Sequence, residues 1–190
     1  MRERSSSAGF TLIELLVTMT VTGIMLAIGV PAFTNMIASG KLSAQVDELA
    51  GMLNYARSMA LSQNSPVQFC PVGAVGSAVC GANWSLGWMV VTAPTAAAIA
   101  AGANPTLLQT HAIPAPITLA VSAAVVAPAW ITFDPHGLTT TTANFALCDS
   151  RGAPYARTAL LNSTGSVQTA RQGMAAWNGA ATGGATCTAP

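Results

Sequence analysis

Residues 9–14 read Gly-Phe-Thr-Leu-Ile-Glu and open an apolar run that meets no second charge until Lys41. Glu14 is the lone carboxylate in a stretch otherwise suited to lipid, and nothing in the run can neutralise it. At ~1.5 Å per residue, residues 10–37 would make a helix of about 40 Å, enough to cross a hydrocarbon core of about 30 Å. Arg2 and Arg4 precede the run and place the N-terminus on the cytoplasmic side. A secretory signal peptide gains nothing from a carboxylate in its apolar region, and this run continues into an amphipathic segment without a cleavage-site break. A lipoprotein leader is excluded, because no cysteine precedes Cys70. Pro31, with Gly23 and Gly29 nearby, is expected to interrupt or kink the helix by removing a backbone bond.

Only 7% of the 190 residues are charged while 52% are hydrophobic, against about 25% charged in ordinary soluble domains. That argues against a free cytosolic enzyme, and also against disorder, which needs high charge and little apolar content. Beyond residue 9, Lys41, Arg57, Arg151, Arg157 and Arg171 balance Glu14, Asp47, Glu48, Asp134 and Asp149. Such an even charge gives no bulk attraction to nucleic acid. The four cysteines, Cys70, Cys80, Cys148 and Cys187, lack CxxC spacing, and with only two histidines a metal site is a poor reading. In a chain that crosses or leaves a membrane they point to disulfides. Of the possible pairings, the local one, Cys70–Cys80 with Cys148–Cys187, is expected, the second tying the C-terminus to the domain.

After Gly40, Leu42, Val46, Leu49, Leu53, Ala56 and Ala60 recur at helical spacing, with Lys41, Gln45, Asp47, Glu48, Asn54, Arg57 and Ser58 on the remaining faces. Met52, Tyr55 and Met59 flank the apolar face as core residues. Pro66 restricts Ser65 and stops the helix near 62–64. One long helix, residues 10–62, is therefore expected, its second half packed on a β-rich domain. The organisation is 1–9 leader, 10–37 membrane or assembly helix, 38–62 amphipathic continuation and 63–190 globular domain. Strands are expected over 67–72, 84–92, 107–113, 117–126, 130–133, 144–148, 155–161 and 166–169, separated by Gly/Pro/Asn/Asp punctuation. Residues 93–105 read as a loop, with a helical turn conceivable at 96–101, and Asp134-Pro135-His136-Gly137 suits a tight turn.

The run Gly9-Phe10-Thr11-Leu12-Ile13-Glu14-Leu15-Leu16-Val17 resembles the class III leader of type IV pilins and type II secretion pseudopilins. The resemblance implies cleavage after Gly9 by a prepilin peptidase, N-methylation of Phe10, and an inner-membrane span with a periplasmic domain. It implies that Glu14 pairs with the free α-amine of an adjacent subunit, and that Pro31 sits where such helices bend or loosen in a fibre. An unpaired acidic residue in the bilayer costs ~2.5–3.5 kcal/mol on insertion scales, so the pair can guide docking. Farther on, Leu53-Asn-Tyr-Ala-Arg57-Ser-Met-Ala60, Cys70, Cys80, Trp84-Ser-Leu-Gly-Trp88, Phe133-Asp-Pro-His-Gly137 and Phe145-Ala-Leu-Cys148-Asp149-Ser-Arg151-Gly152 resemble, in that order, the FimT/FimU/GspH group of minor pilins. The fold implied is α+β, a type IV pilin-like long helix on a small, mostly antiparallel β-domain. The partners implied are other pilins or pseudopilins, the peptidase, an inner-membrane assembly platform and membrane lipid. The role implied is a structural subunit that helps initiate or cap a pilus or pseudopilus.

Enzyme chemistry finds little footing. His111 and His136 are the only candidate bases, and no GxSxG, HExxH or P-loop pattern occurs. His136 beside Asp134 reads as a turn histidine, and Ser163-Thr164-Gly165 as a turn before a strand. No cofactor is implied. DNA is the alternative partner, because FimT-type pilins of competent bacteria bind it through a Gly-Arg-x-Arg motif. Here the matching residues are Gly165-Ser166-Val167-Gln168, without either arginine. Arg151, Arg157 and Arg171 remain as candidate phosphate contacts, of weak and salt-sensitive character, and Trp177 as a base-stacking candidate.

Overall fold

Helix formation begins at Thr11, whose Oγ1 accepts a hydrogen bond from the Glu14 backbone N–H at 3.3 Å, and α1 covers Leu12–Gln63. The computed structural model describes residues 9–73, 80–92, 105–121 and 130–170. The chain divides into two units, Met1–Ser39 and Gly40–Pro190. α1 passes through Pro31 without a break, which corrects the interruption expected there. The pyrrolidine ring removes one hydrogen bond, and the bonds of the turns on either side keep the ladder continuous. At its far end α1 closes with Asn64 at φ 48° and Ser65 N–H donating to the Ala60 carbonyl at 3.3 Å. That is a Schellman cap, with asparagine taking the left-handed position usually given to glycine.

In the second unit α1 buries Leu42, Val46, Leu49, Met52, Leu53, Ala56 and Ala60, the face that the periodicity marks, with Met52 added. Eight strands follow: β1 (Val67–Pro71), β2 (Gly87–Thr92), β3 (Leu107–Ala112), β4 (Thr118–Val121), β5 (Ile131–Phe133), β6 (Ala143–Cys148), β7 (Arg157–Leu161) and β8 (Val167–Ala170). They form two four-stranded sheets, ordered β3-β2-β1-β5 and β4-β6-β7-β8. Every pairing is antiparallel. Trp84–Leu86 form a 3-10 turn where strand was expected, and Tyr155, the first residue of the strand expected over 155–161, instead ends the 3-10 turn Ala153–Tyr155. The expected strand at 117–126 is strand at Thr118–Val121, and its last residues lie outside the described ones. So does nearly all of the 93–105 loop.

One core joins α1 to the inward faces of both sheets. Val67, Phe69, Trp88, Val90, Ile131 and Phe133 come from the first sheet, and Ala143, Phe145, Leu147, Ala159 and Leu161 from the second. Phe69, Trp84 and Phe145 stack across the gap with centroids 5.7–6.2 Å apart. Cys70, Met89 and Val91 are buried on the opposite face of the first sheet, as are Ala146 and Cys148 on the second. Strands buried on both sides need no polar alternation, which is why β2 reads as an apolar run from Trp88 to Val91, and why β1 and β6 carry one polar residue each, Gln68 and Asn144.

Candidate assembly site

In the first unit every described position from Gly9 to Ile37 is exposed. α1 there is long and apolar enough to cross a membrane, with a mean hydropathy of 2.0 in its best window and none of that window buried. The threonines in this stretch do not spoil it. Thr18, Thr20, Thr22 and Thr34 each donate their hydroxyl to a carbonyl three or four residues back, at 2.7–3.0 Å, so these four hydroxyls need no water. Glu14 differs. It sits at the third position of the helix, and its carboxylate has no hydrogen-bond or ion-pair partner among the described residues. Phe10, just outside the helix, is 81% exposed. The N-terminal end of α1 thus presents a carboxylate within the first turn of a helix, where the dipole suits a negative charge.

The second unit is tied together by side chains that the sequence marks only faintly. Arg57, on the flank of the buried face of α1, donates from Nε to the Gly137 carbonyl at 3.0 Å. Gly137 and Gly165 both have positive φ, 73° and 74°, and a Cβ on Gly165 would strike the Gly137 carbonyl oxygen and crowd Arg57. Thr139 N–H reaches the Ser163 carbonyl at 3.0 Å. Helix, first-sheet turn and second-sheet turn therefore meet at one junction. The sequence reading placed Arg57 on the polar side of α1; its position one turn after Leu53, beside the apolar stripe, is the signal that it faces inward.

Of the two histidines, His111 lies against α1, with Nε2 2.9 Å from Gln45 Oε1 and Nδ1 3.7 Å from Glu48 Oε1. Its ring stacks on Trp88 at 4.9 Å, so it ties edge strand β3 to the helix. His136 is exposed in the turn, and Asp134 Oδ1 accepts backbone N–H bonds from His136 and Leu138 at 2.8 and 2.9 Å. That is turn chemistry, as expected. No metal-holding cluster occurs among the described residues.

Of the candidate DNA-contacting arginines, Arg151 and Arg157 lie among the described residues, and both are half-buried. Arg151 donates to the buried Asp149 carboxylate from Nε at 2.9 Å and from Nη2 at 2.7 Å, and its guanidinium lies 4.4 Å from the Tyr155 ring centroid. Burial would push the Asp149 carboxyl up, but the side-chain and backbone bonds from Arg151 outweigh it and hold the group below the usual range. Arg157 is half-buried, with Nε lacking a hydrogen-bond partner among the described residues. Arg171 and Trp177 lie outside those residues. Cys70 and Cys80 form the expected disulfide, and no described cysteine is free. The expected partner of Cys148, Cys187, lies outside the described residues.

A family model described as Type II transport protein GspH matches residues 45–165, and one described as Prokaryotic N-terminal methylation motif matches residues 4–30. The chain is 33% identical over 82 residues to a Type IV major fimbrial protein FimA of Dichelobacter nodosus, covering 43% of this chain and 51% of that one. It is 32% identical over 95 residues to a second FimA of that organism, covering 50% and 58%. The chain thus spans about half the length of the curated relatives it matches. The crystal structure of the type IV minor pilin FimU of Pseudomonas aeruginosa superposes with a TM-score of 0.54 at 23% identity, over 72% of this chain and 92% of that one. A second crystal form gives 0.53, 70% and 96%. At this identity the likeness is one of fold.

Proposed function

Since the chain belongs to the GspH family and carries an N-terminal methylation motif, we propose that it is a minor pilin or pseudopilin that helps initiate or cap a type IV pilus or type II secretion pseudopilus. Pilin-type subunits of this family are structural parts of fibres and not enzymes. The observation that carries the finer reading is Glu14, a carboxylate without a partner among the described residues at the start of a helix that is otherwise uncharged and exposed as far as Ile37. On this reading a prepilin peptidase cuts after Gly9 and methylates Phe10. The subunit waits in the inner membrane, N-terminus cytoplasmic and domain periplasmic. An assembly platform then lifts it, with Glu14 docking on the α-amine of the neighbouring subunit.

The pairing reading follows from cost. A lone carboxylate in hydrocarbon is disfavoured by ~2.5–3.5 kcal/mol, and a cation from the next subunit removes that penalty only when the two helices share the right register. Pro31, where α1 lacks one backbone bond, is the place where the helix would loosen as it leaves lipid for the fibre. A bridge between Cys148 and Cys187 would fasten the C-terminus to β6.

Intact-mass measurement of the chain purified from membranes tests this. A mature species beginning at methylated Phe10 is expected. One that retains Met1, or begins downstream of the apolar run, overturns the reading. The alternative of a DNA-binding minor pilin draws less support, because Arg151 is paired with Asp149 and Arg157 is half-buried. A gel-shift titration across a salt series separates the two: salt-sensitive binding lost on Arg171→Ala would favour DNA uptake.

A further inference from the structure

The bond between Gly9 and Phe10 lies in the short described stretch ahead of α1, and both of its residues are exposed. A Cβ on Gly9 would meet nothing within 4 Å, and Phe10 is 81% exposed. Gly9, Phe10 and Thr11 are all outside the helix, which begins at Leu12. Thr11 sets that boundary. Its Oγ1 accepts the Glu14 N–H at 3.3 Å, and its carbonyl accepts the Leu15 N–H, also at 3.3 Å. A carbonyl bonded into the helix and a side-chain oxygen on the third helical N–H are the marks of an N-cap.

Without that cap the sequence offers α1 an earlier start. Ser7 is the next residue upstream of a type that caps, and a helix capped there would take Ala8, Gly9 and Phe10 as its first turn. Gly9 weakens such a turn without forbidding it. In that register the Gly9–Phe10 amide is wound into the helix. A peptidase lays its substrate's backbone out straight across its catalytic groups, so a wound bond must first be opened. We propose that Thr11 is a positioning residue for the processing step, capping α1 directly after Phe10 and so keeping the scissile bond unwound. It acts through the backbone and not on the reacting atoms. The same boundary leaves the α-amine made by the cut outside the helix, where it can swing toward a neighbour's Glu14. The inference rests on the reading that a prepilin peptidase cuts after Gly9, and adds what makes that bond available.

Kinetics of the full-length precursor in detergent micelles with a prepilin peptidase test it, the mature species being followed by intact mass. Only the unwound fraction is competent, so Thr11→Ala should raise the apparent KM about fivefold, the factor such a cap contributes, with kcat unchanged. Thr11→Ser and Thr11→Asn both cap but differ in shape, and each should return KM to within about twofold of wild type. Hydrogen exchange at the Glu14 amide should quicken in Thr11→Ala and slow again in the two capping variants. Equal KM in wild type and Thr11→Ala overturns the inference, as does a loss confined to kcat. So does rescue by serine without rescue by asparagine, which would mean that the peptidase reads the hydroxyl directly. A wild-type precursor left uncut overturns the processing reading and this inference with it; the other outcomes leave that reading standing.

Discussion

From Leu12 to Ile37 every residue of α1 is exposed, whereas from Leu42 to Ala60 the same helix buries seven side chains. Both stretches are largely apolar, the first through Leu, Ile and Val and the second through Leu and Ala, and both are helical throughout. What separates them is where the apolar surface finds its partner. In the second unit the partner is within the chain, on the inward faces of two sheets. In the first the described residues cover none of it, and on the proposed reading lipid or neighbouring helices do. A helix apolar on all sides has no preferred face and accepts many neighbours, so a polar group must supply the specificity. Glu14 is the one acidic group in the described part of that unit. Substitutions in the first unit should therefore register in assembly and leave the domain untouched, while those in the second should register in stability.

The largest effect expected is from Glu14→Ala. Loss of ~2.5–3.5 kcal/mol of differential stabilisation corresponds to about a hundredfold lower incorporation. Quantitative immunoblotting of sheared fibres against membranes would measure it, and the thermal unfolding of the domain should stay where it was. Incorporation at the wild-type level would break the contrast between the units. Gly165→Ala should do the reverse. A left-handed backbone costs an L-residue about 1–2 kcal/mol, and the new methyl also strikes the Gly137 carbonyl. A total loss of about 3 kcal/mol, read by denaturant titration, is expected with membrane insertion unchanged.

How far the sequence foretells this molecule depends on the range over which its parts interact. The buried stripe of α1 is local and periodic, so it is legible throughout, Met52 included as a core residue at its flank. β1, β2 and β6 are legible as apolar runs, and the Asp134–Gly137 turn by its residues. The sheet order is not, because β4 joins the second sheet and β5 returns to the first, and no local signal encodes that exchange. Arg57 was read as a surface charge because its partner carbonyl lies 80 residues away. Likewise Arg151 is indistinguishable from a free phosphate-binding arginine until Asp149 is seen folding back on it. The apolar pattern on both sides of Pro31 marks one long helix, but not whether the proline interrupts it: proline's local penalty is known, and whether neighbouring turns absorb it is not.

A loss of stability of the same order, about 3 kcal/mol at neutral pH, is expected for Asp149→Asn, which leaves Arg151 facing a neutral amide in a buried site. Its pH dependence sharpens the test. The Asp149 carboxyl lies below its usual range when folded, so its contribution is fully present above the unfolded pKa and disappears as pH falls through the folded one. Wild type and variant should differ most near neutrality and converge in acid. A gap that stays constant across that window would show that Asp149 acts through shape and not charge.

The smallest effect concerns the junction itself. Arg57→Ala removes a charge-assisted bond to the Gly137 carbonyl and the packing of its stem against two glycine turns, worth about 1.5–2 kcal/mol. Arg57→Lys separates the two contributions. Lysine keeps the charge and most of the stem but lacks a donor at the Nε position. If the hydrogen bond holds the junction, lysine recovers little; if the stem does, it recovers most. Combining Arg57→Ala with Gly165→Ala should cost less than the sum of the single changes, because both loosen the same turn-to-turn contact. Strict additivity would mean that helix and sheets meet independently here, and the second unit would be less tightly knit than its geometry implies.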